Sequence, residues 1–274
     1  MPELPEVETV VRGLRAAVVD RTLSHVVCRY PKINRDNPRN WKSALKGRRI
    51  LTVRRRGKNI LMDFSGSLTL WVHLKMTGHF YLAGPAEPVG PHDLVLFGLQ
   101  GETRQLRYQD TRRFGRVRLF PSQTVMNQKG LADLGPEPLE IEREDFIARL
   151  RRCRRMIKPA LLDQRLLAGI GNIYADESLF RAGINPRQLT ADVSVRKLAG
   201  LHDIVQEVLT TAIANMGTTV DTFAGINGEF GGFQSYLRVY GREGQSCLKC
   251  GAVIRREIIG SRSAHYCPRC QRRV

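Results

Sequence analysis

Cys247, Cys250, Cys267 and Cys270 form two C-x-x-C pairs separated by sixteen residues. Each pair can set two thiolates on one edge of a tetrahedron, the arrangement zinc takes in a closed structural site. An iron–sulfur centre and a redox pair are the competing uses of such cysteines, but the spacing favours one structural Zn2+. With all four ligands from protein, no coordination position is left open for chemistry. The segment is too short to bury much core, so ligation would supply much of its folding energy. Val253-Ile254 and Ile258-Ile259 offer strand-forming residues for a hairpin between the pairs, and Gly251 suits a tight turn beside the sulfurs. Within Gly260-Ser261-Arg262-Ser263-Ala264-His265, small residues flank Arg262, which is expected at the hairpin tip. Its exposed fork would suit a phosphate, with a solvated surface arginine as the plainer reading. Cys28 and Cys153 are isolated and receive no role.

The charge balance points the same way. Lys and Arg number 44 against 26 Asp and Glu in 274 residues, a formal net charge of +18. That excess attracts polyanions through counterion release, although anionic membranes and acidic proteins attract it too. It is clustered: Arg48, Arg49, Arg54, Arg55, Arg56 and Lys58; then Arg112, Arg113, Arg116 and Arg118; then Arg151, Arg152, Arg154, Arg155 and Lys158. Arginine dominates, and its planar fork matches phosphate oxygens. An apolar content of 42% is that of a folded protein. No apolar run approaches the roughly 20 residues that cross a bilayer, and no secretory signal opens the chain. The expected setting is therefore the cytoplasm, in use at the nucleoid, where a disulfide framework is not expected.

The elements that must position these groups fall into three stretches. Pro5 suits the first turn of a helix, and Val7, Val10, Val11, Leu14 and Val18 then recur at helical spacing. Strand-like segments follow at 22–27, 50–54, 59–63, 68–72, 79–82, 94–99, 105–109 and 117–120, separated by Gly, Pro or Asp turns. Eight short strands without crossover helices read as an antiparallel sandwich or barrel. Beyond Leu134-Gly135-Pro136-Glu137-Pro138 the pattern turns helical: 142–152, 159–166, 172–181, and 194–216 capped by Ser194 and stopped by Gly217. A glycine-rich loop is expected over 218–233. The expected fold is a multidomain α/β composite. An N-terminal antiparallel β-sandwich covers 1–132, a helical domain 133–234, and a C-terminal zinc-finger β-hairpin 235–274.

Six further strings carry a resemblance. They are Met1-Pro2-Glu3-Leu4-Pro5-Glu6-Val7-Glu8-Thr9-Val10, Arg55-Arg56-Gly57-Lys58, His73-Leu74-Lys75-Met76-Thr77-Gly78, Asp110-Thr111-Arg112-Arg113-Phe114-Gly115, Ala168-Gly169-Ile170-Gly171-Asn172-Ile173-Tyr174-Ala175-Asp176-Glu177 and Val239-Tyr240-Gly241-Arg242. With Cys267-Pro268-Arg269-Cys270-Gln271 they run in order from residue 1 to residue 271, and the chain resembles the formamidopyrimidine-DNA glycosylase family over its full length. The resemblance implies a sandwich, a helical domain with a helix–two-turn–helix, and a zinc finger. It implies a monomeric base-excision repair enzyme on damaged double-stranded DNA, both a DNA-formamidopyrimidine glycosylase and a DNA-(apurinic or apyrimidinic site) lyase. Such an enzyme removes 8-oxoguanine and formamidopyrimidines, then breaks the strand by β,δ-elimination.

The resemblance assigns the nucleophile to Pro2, exposed once Met1 is trimmed. A terminal amine has a reference pKa of about 7.7–8.0 against about 10.4 for lysine, so far more of it is unprotonated at neutral pH. Attack at the deoxyribose C1′ gives an iminium with no N–H to lose, a Schiff base that stays an electron sink for elimination. Glu3 matches the general acid/base. Glu6 either orients Pro2 or simply favours the helix start; Glu8 is read as surface. Lys58 would neutralise a phosphate beside the lesion or assist the departing base. Extruding a nucleotide requires filling its place, and Met76, Arg112 and Phe114 match the family's intercalating set, Arg112 also binding DNA. His73, Lys158, Asn172 and Arg262 would contact phosphates, Lys158 and Asn172 at helix starts, while Glu177 is read as structural.

Two rivals remain. An endonuclease VIII-like relative would share nucleophile, fold and zinc but prefer oxidised pyrimidines; a non-catalytic zinc-containing nucleic-acid binder would not account for the Pro2-Glu3 start. Val220-Asp221-Thr222-Phe223, in the loop expected to cap the extruded base, lacks a basic residue frequent in relatives, and Gly260-Ser261-Arg262-Ser263-Ala264 differs from the commoner Gly-Arg-Gly-Thr context.

Overall fold

The apolar face of the first helix organises everything around it. α1 (Leu4–Val18) buries Leu4, Val7, Val10, Val11, Leu14 and Val18, with Pro in its first turn. Arg15 donates from both Nε and Nη2 to the Val53 carbonyl, at 3.1 and 2.8 Å, and so fixes the helix against the strand below. The structure, a computed structural model, describes residues 1–34, 37–219, 225–226 and 228–273. The loop residues Val220, Asp221, Thr222 and Phe223 lie outside the described residues.

Eight strands follow, at the places where the sequence alternates: β1 (Leu23–Cys28), β2 (Ile50–Arg56), β3 (Asn59–Phe64), β4 (Leu68–His73), β5 (Gly78–Ala83), β6 (Asp93–Leu99), β7 (Gln105–Asp110) and β8 (Arg116–Pro121). They form two antiparallel four-stranded sheets, in the orders β2-β3-β4-β8 and β1-β6-β7-β5. Val53, Met62, Leu70 and Val117 from the first sheet share one core with Phe80, Phe97, Leu106 and Tyr108 from the second, and α1 closes it. This is the expected sandwich. Two short helices have no counterpart in the sequence pattern, α2 (Trp41–Leu45) and α3 (Ser122–Val125). Each is barely longer than one turn, too short to show a 3.6-residue period, yet α2 buries Trp41 and Leu45.

The chain divides into two compact units. The first joins Met1–Ala132 to Asn215–Gly232; the second joins Asp133–Ala214 to Phe233–Val274. Helices α4 (Arg143–Cys153), α5 (Ile157–Leu162), α6 (Asn172–Arg181) and α7 (Val195–Ala214) make up the helical part of the second. α7 buries Leu198, Leu201, Val205, Val208, Leu209 and Ala212 along one stripe, and Ser194 Oγ accepts the Lys197 N–H at its start.

α5 stops four residues earlier than its apolar pattern suggests. Asp163 turns the chain: its Oδ1 accepts the Arg165 N–H at 3.0 Å, and its carbonyl accepts those of Leu166 and Leu167 at 2.9 and 3.1 Å. Gln164 then staples the next turn, donating to Ile170 O at 2.9 Å and accepting from Gly169 N at 2.9 Å. Two turns thus separate α5 from α6, the expected helix–two-turn–helix.

The last strands are also displaced. They are β9 (Arg255–Ile259) and β10 (Arg262–Tyr266), joined by Gly260-Ser261. Val253 makes only an isolated bridge to Ser246, and Ile254 is buried with Phe180, Val239, Cys247 and Cys267 instead of extending the hairpin. Strand propensity predicts a hairpin through this pair; packing takes Ile254 into a small core instead, and Val253 is left exposed.

Candidate active site, wedge loops and metal centre

A reciprocal cap holds the N-terminus. Glu6 Oε2 accepts the Glu3 N–H at 2.8 Å, while the Glu3 carboxylate accepts the backbone N–H of Glu6. The second Glu6 oxygen accepts the Thr218 N–H at 2.8 Å. Gly217 makes this approach feasible: it has φ +78°, and a Cβ there would lie 2.6 Å from Glu6 Oε1. Glu3 and Glu6 are buried, with Pro2 half-buried and Met1 exposed beyond them. Anchored backbone therefore begins at residue 3, one peptide bond from Pro2.

Lys58 is 7% exposed, which removes it from any solvated charge run. Its turn is fixed by Arg55 Nη1 donating to Gly57 O at 3.1 Å, Asn59 Nδ2 donating to Arg56 O at 3.0 Å, and Trp71 Nε1 donating to Asn59 Oδ1 at 2.8 Å. Arg55 in turn donates from Nε to Glu8 Oε2 at 3.1 Å, and Arg12 donates to the other Glu8 oxygen at 3.1 Å. Glu8 is thus no idle surface residue: it ties α1 to the Lys58 turn. The sequence shows its i,i+4 pair with Arg12; a partner 47 residues away leaves no local signal.

His73 ends β4. Its Nδ1 accepts the Lys75 N–H at 3.0 Å, which leaves the ring proton on Nε2. Burial, with the nearby ammoniums of Lys75 and Lys58, lowers its pKa to about 3. A neutral imidazole offers one Nε2–H donor and no charge.

Met76 and Phe114 stand out at loop tips, 42% and 52% exposed where large apolar side chains are ordinarily buried. The Arg112 guanidinium lies 4.8 Å from the Phe114 ring centroid and has no ion pair among the described residues. The three side chains expected to intercalate therefore project from two loops, 74–77 and 111–115.

In the second unit, Asn172 opens α6 and its Oδ1 is buried without a hydrogen-bond partner among the described residues. Buried polar atoms are rarely left so. Arg262 is exposed at the first position of β10, beside the hairpin turn.

Lys158 corrects an expectation. Its place before a helix start suggests a phosphate contact, but its side chain is fully buried. Its ammonium donates to Asp176 Oδ1 at 2.5 Å and to the Ser263 carbonyl. Asp176 Oδ2 also accepts the His265 N–H at 2.9 Å and faces His265 Nδ1 at 3.1 Å. Lys158 and Asp176 thus lock β10, the strand that starts with Arg262, onto α5 and α6. Glu177 is structural, as expected: it accepts the backbone N–H groups of Arg238, Val239 and Tyr240 at 2.9–3.0 Å.

The four Sγ atoms of Cys247, Cys250, Cys267 and Cys270 lie within 4.8 Å of one another. Cys250 and Cys267 are 3.4 Å apart and Cys247 and Cys270 3.9 Å. Tetrahedral zinc with bonds near 2.3 Å needs thiolates about 3.8 Å apart, so the donor set fits one structural Zn2+. Lys249 N and Cys270 N donate to the Cys247 and Cys267 sulfurs, both at 3.4 Å, as backbone does around thiolates.

Comparison with known proteins places these features. Residues 1–117 match the formamidopyrimidine-DNA glycosylase N-terminal domain, 134–224 the H2TH domain of that glycosylase, and 244–273 the zinc finger found in FPG and IleRS. A formamidopyrimidine-DNA glycosylase of Pelotomaculum thermopropionicum is 43% identical over 275 residues, 99% of each chain. A point mutant of Lactococcus lactis FPG, solved with Fapy-dG-containing DNA, superposes with a TM-score of 0.93 at 34% identity over 99% of this chain and 100% of that one. Two more structures match at TM-score 0.92 and 34% identity with the same coverage: wild-type L. lactis FPG (MutM) with oxidised-pyrimidine-containing DNA, and MutM with DNA containing carbocyclic 8-oxo-G. No helix among the described residues is long and apolar enough to cross a membrane.

The His73 environment sets a pH dependence. Its folded pKa of about 3 lies below the ordinary value of 6.5. Between those values the unfolded chain holds the extra proton, so this group adds stability at neutral pH that is lost as pH falls from 6.5 toward 3. In NMR titration, the His73 ring resonances should stay at their neutral positions from about pH 8 to about pH 5. A midpoint near 6.5 would contradict the buried, neutral assignment.

Proposed function

The chain belongs to the formamidopyrimidine-DNA glycosylase family, and from that membership we infer what each part of its site does. It is a base-excision glycosylase and AP lyase that removes oxidised purines, 8-oxoguanine and formamidopyrimidines, from double-stranded DNA. Pro2, freed of Met1, attacks C1′ of the damaged nucleotide; the C1′–base bond breaks and the base leaves with a proton. The C1′–O4′ bond then breaks as O4′ takes a proton, leaving an iminium that acidifies the C2′ proton; removal of that proton expels the 3′ phosphate, and removal of the C4′ proton then expels the 5′ phosphate. Glu3 supplies and accepts protons beside the nucleophile.

The observation that carries this assignment is the doubly anchored Glu6. By taking the Glu3 and Thr218 N–H groups at 2.8 Å each, it presents residue 2 from a fixed backbone. Glu6 is therefore a positioning residue, and Lys58, held in a stiff turn, supplies a cation to the phosphate beside the lesion. Met76, Arg112 and Phe114 fill the space of the extruded nucleotide. His73 donates from neutral Nε2–H to a phosphate oxygen; Asn172 and Arg262 do the same from the second unit. Lys158 acts through β10 instead, by fixing the strand that carries Arg262. Residues 1–132 would form the catalytic sandwich, 133–234 the helix–two-turn–helix domain and 235–274 the finger, in an enzyme working as a monomer in the cytoplasm, at the nucleoid.

Borohydride trapping tests the chemistry. With duplexes bearing 8-oxoguanine, a reduced adduct should form, and peptide mass analysis should place it on Pro2 with Met1 gone. Active protein that keeps Met1, or cleavage without a reducible adduct, would refute the nucleophile. In parallel, a duplex bearing 5-hydroxyuracil should be cut more slowly; strong preference for it would support the endonuclease VIII-like reading.

Salt titration separates the two cations of the second unit. Arg262→Ala removes a phosphate contact, so the slope of log K against log[salt] should fall by about 0.9. Lys158→Met removes no phosphate contact of its own but strips Asp176 of its buried partner, a loss of about 3–5 kcal/mol in stability. A reduced salt slope for Lys158→Met at full stability would return Lys158 to the phosphate role.

A further inference from the structure

We propose that Asp110 is a positioning residue for base extrusion: its buried carboxylate fastens the 74–77 and 111–115 loops into one preassembled wedge. The inference rests on the reading of Met76, Arg112 and Phe114 as the groups that enter the duplex.

Strand pairing brings the loops together. β5 and β7 run antiparallel with Gly78 opposite Asp110, so one loop enters β5 where the other leaves β7. Asp110 is fully buried at that junction. Its Oδ1 accepts the Thr77 hydroxyl at 2.5 Å and the Arg112 N–H at 3.2 Å, and its Oδ2 accepts the Gly115 N–H at 2.7 Å. Thr77 Oγ1 also accepts the Arg112 N–H at 3.1 Å. One side chain therefore takes a donor beside Met76 and donors at both ends of the Arg112-Arg113-Phe114 tip. Only a carboxylate can accept all of them, because an amide would turn its own N–H groups toward one set.

Two further observations support a rigid wedge. Lys75 and Arg113 have φ of +57° and +58°, the left-handed region that side chains other than glycine seldom occupy. Each adjoins an intercalating residue, and such conformations persist only where neighbours over-determine them. Beneath the loops, the Tyr108 hydroxyl is buried without a hydrogen-bond partner among the described residues. A Cβ at Gly78 or Gly115 would lie 2.2 or 1.8 Å from it, so both loop ends rest on this ring with no room to sink. Ordering the tips before DNA arrives removes an entropic cost from the insertion step.

The test compares single-turnover strand cleavage at 8-oxoguanine in a duplex with lyase cleavage at an abasic site in single-stranded DNA. Both need Pro2, but only the duplex has an opposing stack that the wedge must open. For Asp110→Asn the ratio of duplex to single-strand rate should fall about tenfold or more; for Thr77→Val, which deletes one donor, it should fall about threefold. The fluorescence rise of 2-aminopurine placed next to the base opposite the lesion, which reports unstacking, should shrink in step. Folded variants that keep the wild-type ratio and fluorescence change would overturn the assignment, and Thr77→Val decides it alone if Asp110→Asn does not fold. Failure of the wild-type protein to cut either substrate would instead defeat the proposed function.

Discussion

A nucleophile at a chain terminus faces a physical problem, because terminal residues fray unless something ties them down. In this protein the tie is the Glu6 carboxylate, which accepts one N–H from Glu3 and another from Thr218. Both donors are backbone groups, so the anchor does not depend on side-chain rotamers elsewhere. The buried stripe of α1 carries the constraint into the sandwich core, and the Glu8–Arg55 pair extends it to the turn that holds Lys58. On the proposed reading, reactivity and rigidity come from residues four apart: the half-buried Pro2 ring to react and the buried Glu6 acid to keep it still.

The large positive charge is used unevenly. Arg54 pairs with Asp63, Arg107 with Asp93 and Arg155 with Asp163. Lys158 is buried against Asp176. These cations organise backbone and loops, and count little toward a polyanion. Arg112 and Arg262, by contrast, are exposed and take no acidic partner among the described residues. A count of basic residues therefore favours an anionic partner, whereas burial and pairing single out the cations left open to one.

Much of this is legible in the residues. All eight sandwich strands fall where alternation and turn residues put them, and α6 spans the residues its pattern marks, because both signals are local. The two C-x-x-C pairs mark the metal centre for the same reason. What stays hidden depends on partners far along the chain. Nothing near Lys158 tells that Asp176 and the Ser263 carbonyl, 105 residues away, will bury it. Glu8 looks like surface because Arg55 reaches it only after β2 folds against α1. The hairpin begins only after Val253-Ile254 because Ile254 is taken into the core under the finger while Val253 stays exposed, a case of packing overriding local preference. α2 is too short to have a period at all.

The anchoring role of Glu6 is the point on which the nucleophile assignment turns, and Glu6→Gln addresses it with the least disturbance. Glutamine keeps the size but presents an amide N–H to one of two backbone donors, leaving that contact broken. The direct measurement is the rate of borohydride-trappable adduct formation on a preformed abasic site, in protein shown to be folded and zinc-loaded. A fall of about tenfold or more, with DNA affinity within about twofold of wild type, is expected if Glu6 holds Pro2 in line. An unchanged trapping rate would mean that the terminus reacts without this tether.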